Sequence, residues 1–182
     1  TTDIAELFAK FGCEAVLHEN FNGFEEWCQS QDFPPFQGFQ GEGLWLEVLK
    51  DGTTIASGAA YPIVPLETLK DHIERYGLFP SGNDTLTCEG EAAAVAAAIT
   101  GPVAVTGGIV INKDIRGTEL SQDLLATISP VIRKAACDRW EANVTVYVVK
   151  EGRKVGKRFR PEILAKRIHW LRDGKPHLDS AR

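Results

Sequence analysis

The sequence predicts a single α/β domain in which a mixed central sheet is flanked by helices. Three observations predict this fold: a hairpin pattern over 44–60, a β-branched run over 103–111, and a helical pattern over 121–140 that leads into a second apolar run at 144–149. A tight hairpin is antiparallel, whereas a strand, a crossing helix and a strand form a right-handed unit with parallel strands. The sheet is therefore expected to contain both strand directions.

Length and composition favour one globular domain and exclude several other classes. The chain has 182 residues, of which 43% are hydrophobic and 25% are charged, and domains usually contain roughly 100 to 200 residues. No apolar run approaches the roughly 20 residues that cross a bilayer, and no basic stretch followed by an apolar one resembles an export signal. We therefore expect no membrane association and a cytoplasmic location.

The four cysteines, Cys13, Cys28, Cys88 and Cys137, are scattered along the chain. Zinc sites usually contain closely spaced cysteines, such as a CxxC pair, or paired histidines. These four cysteines form no CxxC pair and have no paired histidine nearby. We expect buried thiols, no disulfide framework and no metal site.

The first part of the chain is expected to contain a helix, a strand and a hairpin. Asp3 followed by Glu6 is typical of a helix capping box, and Asp51-Gly52 supplies the positive φ angles of a tight hairpin turn. The expected elements, in chain order, are a short helix that ends at Gly12, a strand over 14–21, a helix turn and irregular loop over 24–39, and the strands 44–49 and 53–60.

Residues 62–102 have a different character and are interpreted as a helical insertion within the domain. A helix over 68–76 is closed by Gly77, and an alanine-rich helix over 89–99 is stopped by Gly101-Pro102. The residues between them, 79–84, are expected to form a loop.

The last part of the chain contains the predicted parallel strands. Gly107-Gly108 interrupts the run 103–111, and paired glycines inside a strand usually mark a bulge or a close approach of another backbone or ligand. The expected elements are a strand over 103–111, a polar loop over 112–117, a helix over 121–140 that Pro130 kinks, a strand over 144–149 parallel to the first, and a final strand over 163–171.

Charge is unevenly distributed. Residues 1–110 contain 4 basic and 16 acidic side chains, whereas residues 111–182 contain 16 basic and 9 acidic ones. The densest basic stretch, Lys150–Arg172, would attract a polyanion such as a nucleic acid or a phosphate-bearing cofactor. The sequence pI of about 5.4 argues against a dedicated DNA-binding protein. A solvated helix face that pairs with the acidic half of the chain explains the stretch equally well.

The junction between the strand that ends at Ile111 and the long helix is a candidate anion site. Backbone N–H groups without helical partners converge at a helix N-terminus, where the helix dipole is positive. Phosphate oxygens could be held there by the main chain and by the Arg116 guanidinium.

The residues of this junction also follow a family pattern. Arg116-Gly117-Thr118-Glu119-Leu120-Ser121, followed by Leu124-Leu125, resembles the acyl-CoA-binding motif of the GNAT superfamily of N-acyltransferases, which reads Arg/Gln-x-x-Gly-x-Gly/Ala. The hairpin 44–60 is similar to the paired strands that precede this motif in the family. Two features differ: Glu119 stands at a glycine position, and 62–102 replaces a short hairpin.

This resemblance implies an enzyme that moves an acetyl or other acyl group from acyl-CoA to a small-molecule or peptide amine. It implies that the cofactor pyrophosphate binds at Arg116, Gly117, Thr118, Glu119, Leu120 and Ser121, and the pantetheine along Ile109, Val110 and Ile111. Tyr147 is the candidate for proton transfer. Further titratable candidates are Glu47, His72, Glu89 and Glu91.

Two other functions remain open from the sequence. A carboxylate at Glu119 would repel pyrophosphate unless its side chain turns outward, so the chain could be a GNAT-like scaffold that binds other molecules but not CoA. The alternative is nucleic-acid binding through Lys150–Arg172. An apolar strand could also mediate formation of a homodimer.

Overall fold

Two β-sheets organise the part of the chain that the computed structural model describes, residues 3–33, 41–78, 84–147, 168–172 and 175–176. The strands are β1 Glu14–His18, β2 Leu44–Lys50, β3 Thr53–Ile63, β4 Asp84–Cys88, β5 Val103–Ile111, β6 Val144–Val146, β7 Ile168–Arg172 and β8 Lys175–Pro176. The helices are α1 Ile4–Ala9, α2 Phe24–Ser30, α3 Leu69–Tyr76, α4 Gly90–Ala97 and α5 Glu119–Trp140, with a 3₁₀ turn at Lys113–Ile115.

The larger sheet is mixed, as the sequence predicted. Its strand order is β1-β2-β3-β5-β6; the first four strands are antiparallel to their neighbours, and β5 and β6 are parallel. The hairpin turn between β2 and β3 has φ angles of 51° at Asp51 and 73° at Gly52. These positive angles match the right-handed twist of the flanking strands and explain the tight turn.

Helices cover both faces of this sheet. On one face, α5 buries Leu124, Ile128 and Ile132 against β2, β3 and β5. A Cβ atom at Gly58 of β3 would lie 2.5 Å from Ile128 Cγ2, so this glycine lets the helix approach the sheet closely. On the other face, α2 and the helices of the insertion pack around Trp45.

The predicted bulge in β5 is confirmed. Ser57 pairs with Val110 and Ala59 with Gly107, so two residues of β5 lie opposite Gly58. Gly108 has a φ angle of 56°, and a Cβ atom there would lie 2.6 Å from Cζ of Phe24. Both the left-handed backbone and the contact with Phe24 require glycine.

The structure of residues 62–102 differs in one respect from its prediction. Both predicted helices are present as α3 and α4, but β4 lies between them and pairs with β7 in a second, antiparallel sheet. The expected loop over 79–84 was therefore wrong at Asp84, and 79–83 lie outside the described residues. No local pattern predicted this strand, because the partner of β4 lies about eighty residues away and β4 has only five residues.

The bounds of several other elements also differ from their predictions. The first strand ends at His18, and the segment read as a helix turn is the seven-residue helix α2. The long helix begins at Glu119, two residues before its predicted start, because Thr118 caps it. It continues through Pro130 as one helix. Residues 148–149 and 163–167 of the predicted strands, and most of Lys150–Arg172, lie outside the described residues.

The four cysteines are free thiols. Cys13, Cys28 and Cys88 are buried as expected, whereas Cys137 is only half-buried. Burial raises the pKa of Cys28 to about 12, so this thiol stays protonated near neutral pH. Within the described ranges, no helix combines the length and apolar character that crossing a membrane demands.

Candidate functional site

A groove of about 480 Å³ lies where the end of β5 and the start of α5 meet the end of α2. Its lining residues are Gln31, Asp32, Phe33, Ile109, Val110, Ile111, Arg116, Gly117, Ser121, Gln122 and Leu125. Six of the nine cofactor residues predicted from the sequence line this groove. Thr118, Glu119 and Leu120 do not line it, although they lie between Gly117 and Ser121 in the chain.

One wall of the groove is the open edge of β5. The parallel pairing with β6 ends at Val105, and past that residue β5 has no strand beside it on this edge in the described ranges. Asn112 N donates to Ile55 O of β3 at 2.8 Å. Because successive residues of a strand direct their main-chain groups to opposite edges, the N–H groups of Ile109 and Ile111 face the open edge.

The loop after β5 and the first turn of α5 carry N–H groups without helical partners, and of the residues that carry them Gly117 lines the groove. Among the described residues, the N–H groups of Gly117, Glu119 and Leu120 donate to no protein acceptor. Such groups at a helix N-terminus, together with the positive end of the helix dipole, favour an anion.

The N–H group of Ser121, another residue predicted to bind pyrophosphate, already has an acceptor in the helix cap. Its N–H donates to Thr118 Oγ1 at 3.2 Å, and its hydroxyl donates to Thr118 O at 2.7 Å. The Thr118 hydroxyl in turn donates to Ile115 O at 2.6 Å. The helix cap uses these groups because Thr118 is a good N-cap residue, and Ser121 contributes only a small side chain to the groove wall.

Arg116 holds the loop in place. Its Nε donates to Ile111 O at 2.9 Å, and its Nη2 donates to Gln31 O at 3.1 Å. The guanidinium thus joins the end of β5 to the residue after α2. Because a guanidinium has five N–H donors, others remain for a ligand in the groove.

Gln31 is a site residue that the sequence analysis missed. Its side chain is 7% exposed, and its Oε1 accepts a hydrogen bond from Lys113 N at 2.8 Å. Gln31 therefore contacts the loop through both its side chain and its carbonyl group. It lies in a Gln-, Pro- and Gly-rich segment that predicted only an irregular loop, so no local signal identified it.

Glu119, the departure from the family pattern, is exposed and lies outside the groove lining. It occupies the first turn of α5, where a carboxylate stabilises a helix through the macrodipole. An exposed carboxylate in water repels a neighbouring phosphate only weakly because solvent screens it.

Tyr147 directly follows β6 rather than lying inside it. It stands next to the last paired residues of the parallel strands, Val105 and Val146, but does not line the groove. Burial raises the pKa of Tyr147, and the positive charge of Arg133 opposes this shift. The phenol therefore remains protonated near neutral pH.

The other titratable candidates lie away from the groove. Glu47 accepts hydrogen bonds from Thr54 Oγ1 at 2.5 Å and contacts His18 Nε2 at 2.8 Å. His72 lines a separate cavity of about 440 Å³ along α3, and burial lowers its pKa. Glu89 and Glu91 are exposed near the start of α4.

Comparison by sequence finds neither a matching family model nor a matching curated protein. Solved acetyltransferases resemble the chain in structure. An aminoglycoside acetyltransferase from an uncultured soil metagenomic sample, in complex with trehalose, shares 5% identity over 86% of this chain and 92% of its own, with a TM-score of 0.49. Its complex with sisomicin gives 6% identity over 86% and 93%, with a TM-score of 0.48.

A glucosamine-6-phosphate N-acetyltransferase from Arabidopsis thaliana shares 10% identity over 90% of this chain and 85% of its own, with a TM-score of 0.41.

The arrangement of elements itself agrees with the family resemblance of the sequence. An antiparallel hairpin precedes a bulged strand, the motif loop and a long helix follow that strand, and the helix leads to a parallel strand beside it. The described part of the chain therefore has a mixed α/β fold whose order of elements agrees with that resemblance.

Proposed function

We propose that this protein is an acyl-CoA-dependent N-acyltransferase that moves an acetyl or related acyl group to a small-molecule or peptide amine. The observation that supports this proposal is one groove whose lining runs from Ile109, Val110 and Ile111 of β5 to Arg116, Gly117 and Ser121 at the start of α5. An extended ligand with a diphosphate at one end and amide groups along its length would fit this groove.

The groove residues fit coenzyme A in two places. The N–H groups of Gly117, Glu119 and Leu120, which have no acceptor among the described residues, and the remaining guanidinium donors would hold the diphosphate. The outward-facing main chain of Ile109 and Ile111 would pair with the pantetheine amides, while Leu125 and Phe33 supply apolar walls.

Acetyl-CoA would supply a thioester whose carbonyl carbon is attacked directly by the acceptor amine. The new C–N bond forms as the C–S bond breaks, and the nitrogen releases a proton while the thiolate accepts one. A main-chain N–H at the bulge of β5 would polarise the carbonyl, and we assign protonation of the thiolate to the Tyr147 phenol. Free thiols and acyl-CoA chemistry are both consistent with a cytoplasmic location.

Titration calorimetry tests the proposal, with acetyl-CoA, CoA and longer acyl-CoAs as ligands. We expect acetyl-CoA and CoA to bind with micromolar dissociation constants, near −8 kcal/mol. A screen with sisomicin, glucosamine-6-phosphate and short peptides as amines would then identify an acceptor. A folded protein that binds none of the acyl-CoAs would remove the enzyme function.

The Tyr147→Phe variant tests the assigned proton donor. Because burial raises the pKa of this phenol, the proton is available below the folded-state pKa and is lost only at alkaline pH. We expect kcat to fall by about 100-fold, with KM for acetyl-CoA unchanged and the alkaline limb of the pH profile lost. Tyr76→Phe, at a 59% exposed tyrosine of α3, is the control. An unchanged kcat and pH profile would refute the assignment.

A GNAT-type scaffold without CoA binding is the second candidate, and Glu119 at a glycine position of the motif favours it. Replacing Glu119 with Gln removes the charge alone. Since the carboxylate is exposed, we expect the affinity for CoA to rise by less than about threefold. Asp123→Asn, one turn further along α5, is the matched control. Tightening of more than tenfold by Glu119→Gln or Glu119→Gly would support the scaffold.

A further inference from the structure

A hydrogen-bonded relay connects α2 to the bulge of β5. The indole Nε1 of Trp27 donates to Ser57 Oγ at 2.9 Å, and the Ser57 hydroxyl donates to Gly108 O at 3.0 Å. Ser57 is fully buried on β3. A serine hydroxyl has one proton to donate and can also accept a hydrogen bond. Because the Ser57 oxygen accepts from Trp27 Nε1–H, its own proton is free to bond to the Gly108 carbonyl.

This relay fixes the orientation of one peptide group. The described structure contains no cis peptide bonds, and in a trans peptide the C=O and the following N–H point in opposite directions. With Gly108 O held toward Ser57, the N–H of Ile109 points away from β3. The strand register gives the same direction, because Ile109 alternates with Val110, which pairs with Ser57.

The peptide would otherwise have considerable freedom. Gly108 has a φ angle of 56° and carries no side chain, and glycine populates many backbone conformations. At a bulge the regular ladder of main-chain hydrogen bonds is interrupted. A buried side-chain donor is thus what selects one orientation of the peptide between Gly108 and Ile109.

We propose that Trp27 and Ser57 are positioning residues that aim the Ile109 N–H at the thioester carbonyl of a bound acyl-CoA. Ile109 lines the groove beyond Val105, the last residue of β5 that pairs with β6 in the described part of the chain. A donor held in advance of the reaction stabilises the developing negative charge without reorganisation. The inference rests on the proposed function and adds to it the two side chains that orient the donor.

Acetyl-CoA and CoA should respond differently to loss of the relay, because only the thioester of acetyl-CoA has a carbonyl group that Ile109 N–H can polarise. In Ser57→Ala the relay is broken at its centre, and in Trp27→Phe only the indole donor is lost. Infrared difference spectra of bound acetyl-CoA labelled with ¹³C at the thioester carbonyl report its polarisation, and calorimetry reports the affinity for CoA. Ser129→Ala removes another buried serine hydroxyl, on α5, and is the control.

We expect the wild type and Ser129→Ala to shift the bound carbonyl stretch to lower frequency than in solution. Ser57→Ala should lose most of that shift and Trp27→Phe part of it, while the dissociation constant for CoA changes by less than about threefold. With an acceptor, kcat should fall by about 10- to 100-fold in Ser57→Ala, up to the loss seen when an oxyanion donor is removed.

Two outcomes would overturn the inference while the proposed function stands. In the first, Ser57→Ala and Trp27→Phe both keep the full shift of the carbonyl stretch. In the second, both variants lose affinity for CoA to the same extent as they lose that shift, which is the result expected if the two residues only support the structure. If Ser57→Ala does not fold, Trp27→Phe decides, since it retains an aromatic ring of similar shape. Failure of the wild type itself to bind CoA would overturn the proposed function, and the inference with it.

Discussion

Gly108→Ala is expected to destabilise the protein by about 2 to 4 kcal/mol, the sum of left-handed backbone strain and overpacking. The φ angle at this position is 56°, and the new Cβ would lie 2.6 Å from Phe24 Cζ and 3.1 Å from Ala59 Cβ. Phe24 is 2% exposed and packs in the core between α2 and the sheet, so its ring cannot move aside freely. Urea unfolding followed by fluorescence would measure the loss.

Gly101→Ala provides the comparison for this prediction. A Cβ at Gly101 meets no atom within 4 Å, and its φ angle lies outside the left-handed region. We expect its free energy of unfolding to change by less than about 0.5 kcal/mol. Equal stability of the two variants would show that β5 does not bulge at Gly108 as described.

Arg116→Ala is expected to weaken CoA binding by about 10- to 100-fold, the loss typical of a hydrogen bond to a charged group. The guanidinium has two effects in the proposed complex. It contributes positive charge to the groove, and through Ile111 O and Gln31 O it holds the loop that presents the free N–H groups. Calorimetric titration of CoA into the folded variant would measure the change.

Two further variants separate these effects. Arg116→Lys keeps the charge but not the planar fork that reaches two carbonyl groups, so we expect it to restore only part of the affinity. Lys113→Ala removes an exposed positive charge outside the groove lining, and we expect a change of less than about threefold. Wild-type affinity in Arg116→Ala would contradict the proposed role of the guanidinium.

The sequence predicted those parts of the fold that local chemistry determines. The Asp51-Gly52 turn, the bulge at Gly108 and the long helix all depend on residues near one another in the chain. Resemblance of the segment after Ile111 to the GNAT motif located the groove. These features could be predicted because a turn glycine or a helical repeat has the same meaning in most folds.

The parts that the sequence did not predict depend on contacts between distant segments. Strand β4 exists through its pairing with β7, Gln31 reaches a loop about eighty residues away, and Ser57 lies about fifty residues from the carbonyl it holds. No residue type or spacing in the sequence predicts such contacts. The use of Thr118 as helix cap likewise removed Ser121 from the set of free donors, which a motif alone does not reveal.

In the proposed complex, the N–H groups of Gly117, Glu119 and Leu120 bind the diphosphate of coenzyme A. Amide NMR spectra of ¹⁵N-labelled protein during titration with CoA test it most directly. We expect the resonances of Gly117, Glu119 and Leu120 to shift and saturate together, while those of Asp71 and His72, in the separate cavity along α3, stay in place. A folded protein whose Gly117, Glu119 and Leu120 amides do not respond to about 1 mM CoA would contradict the claim.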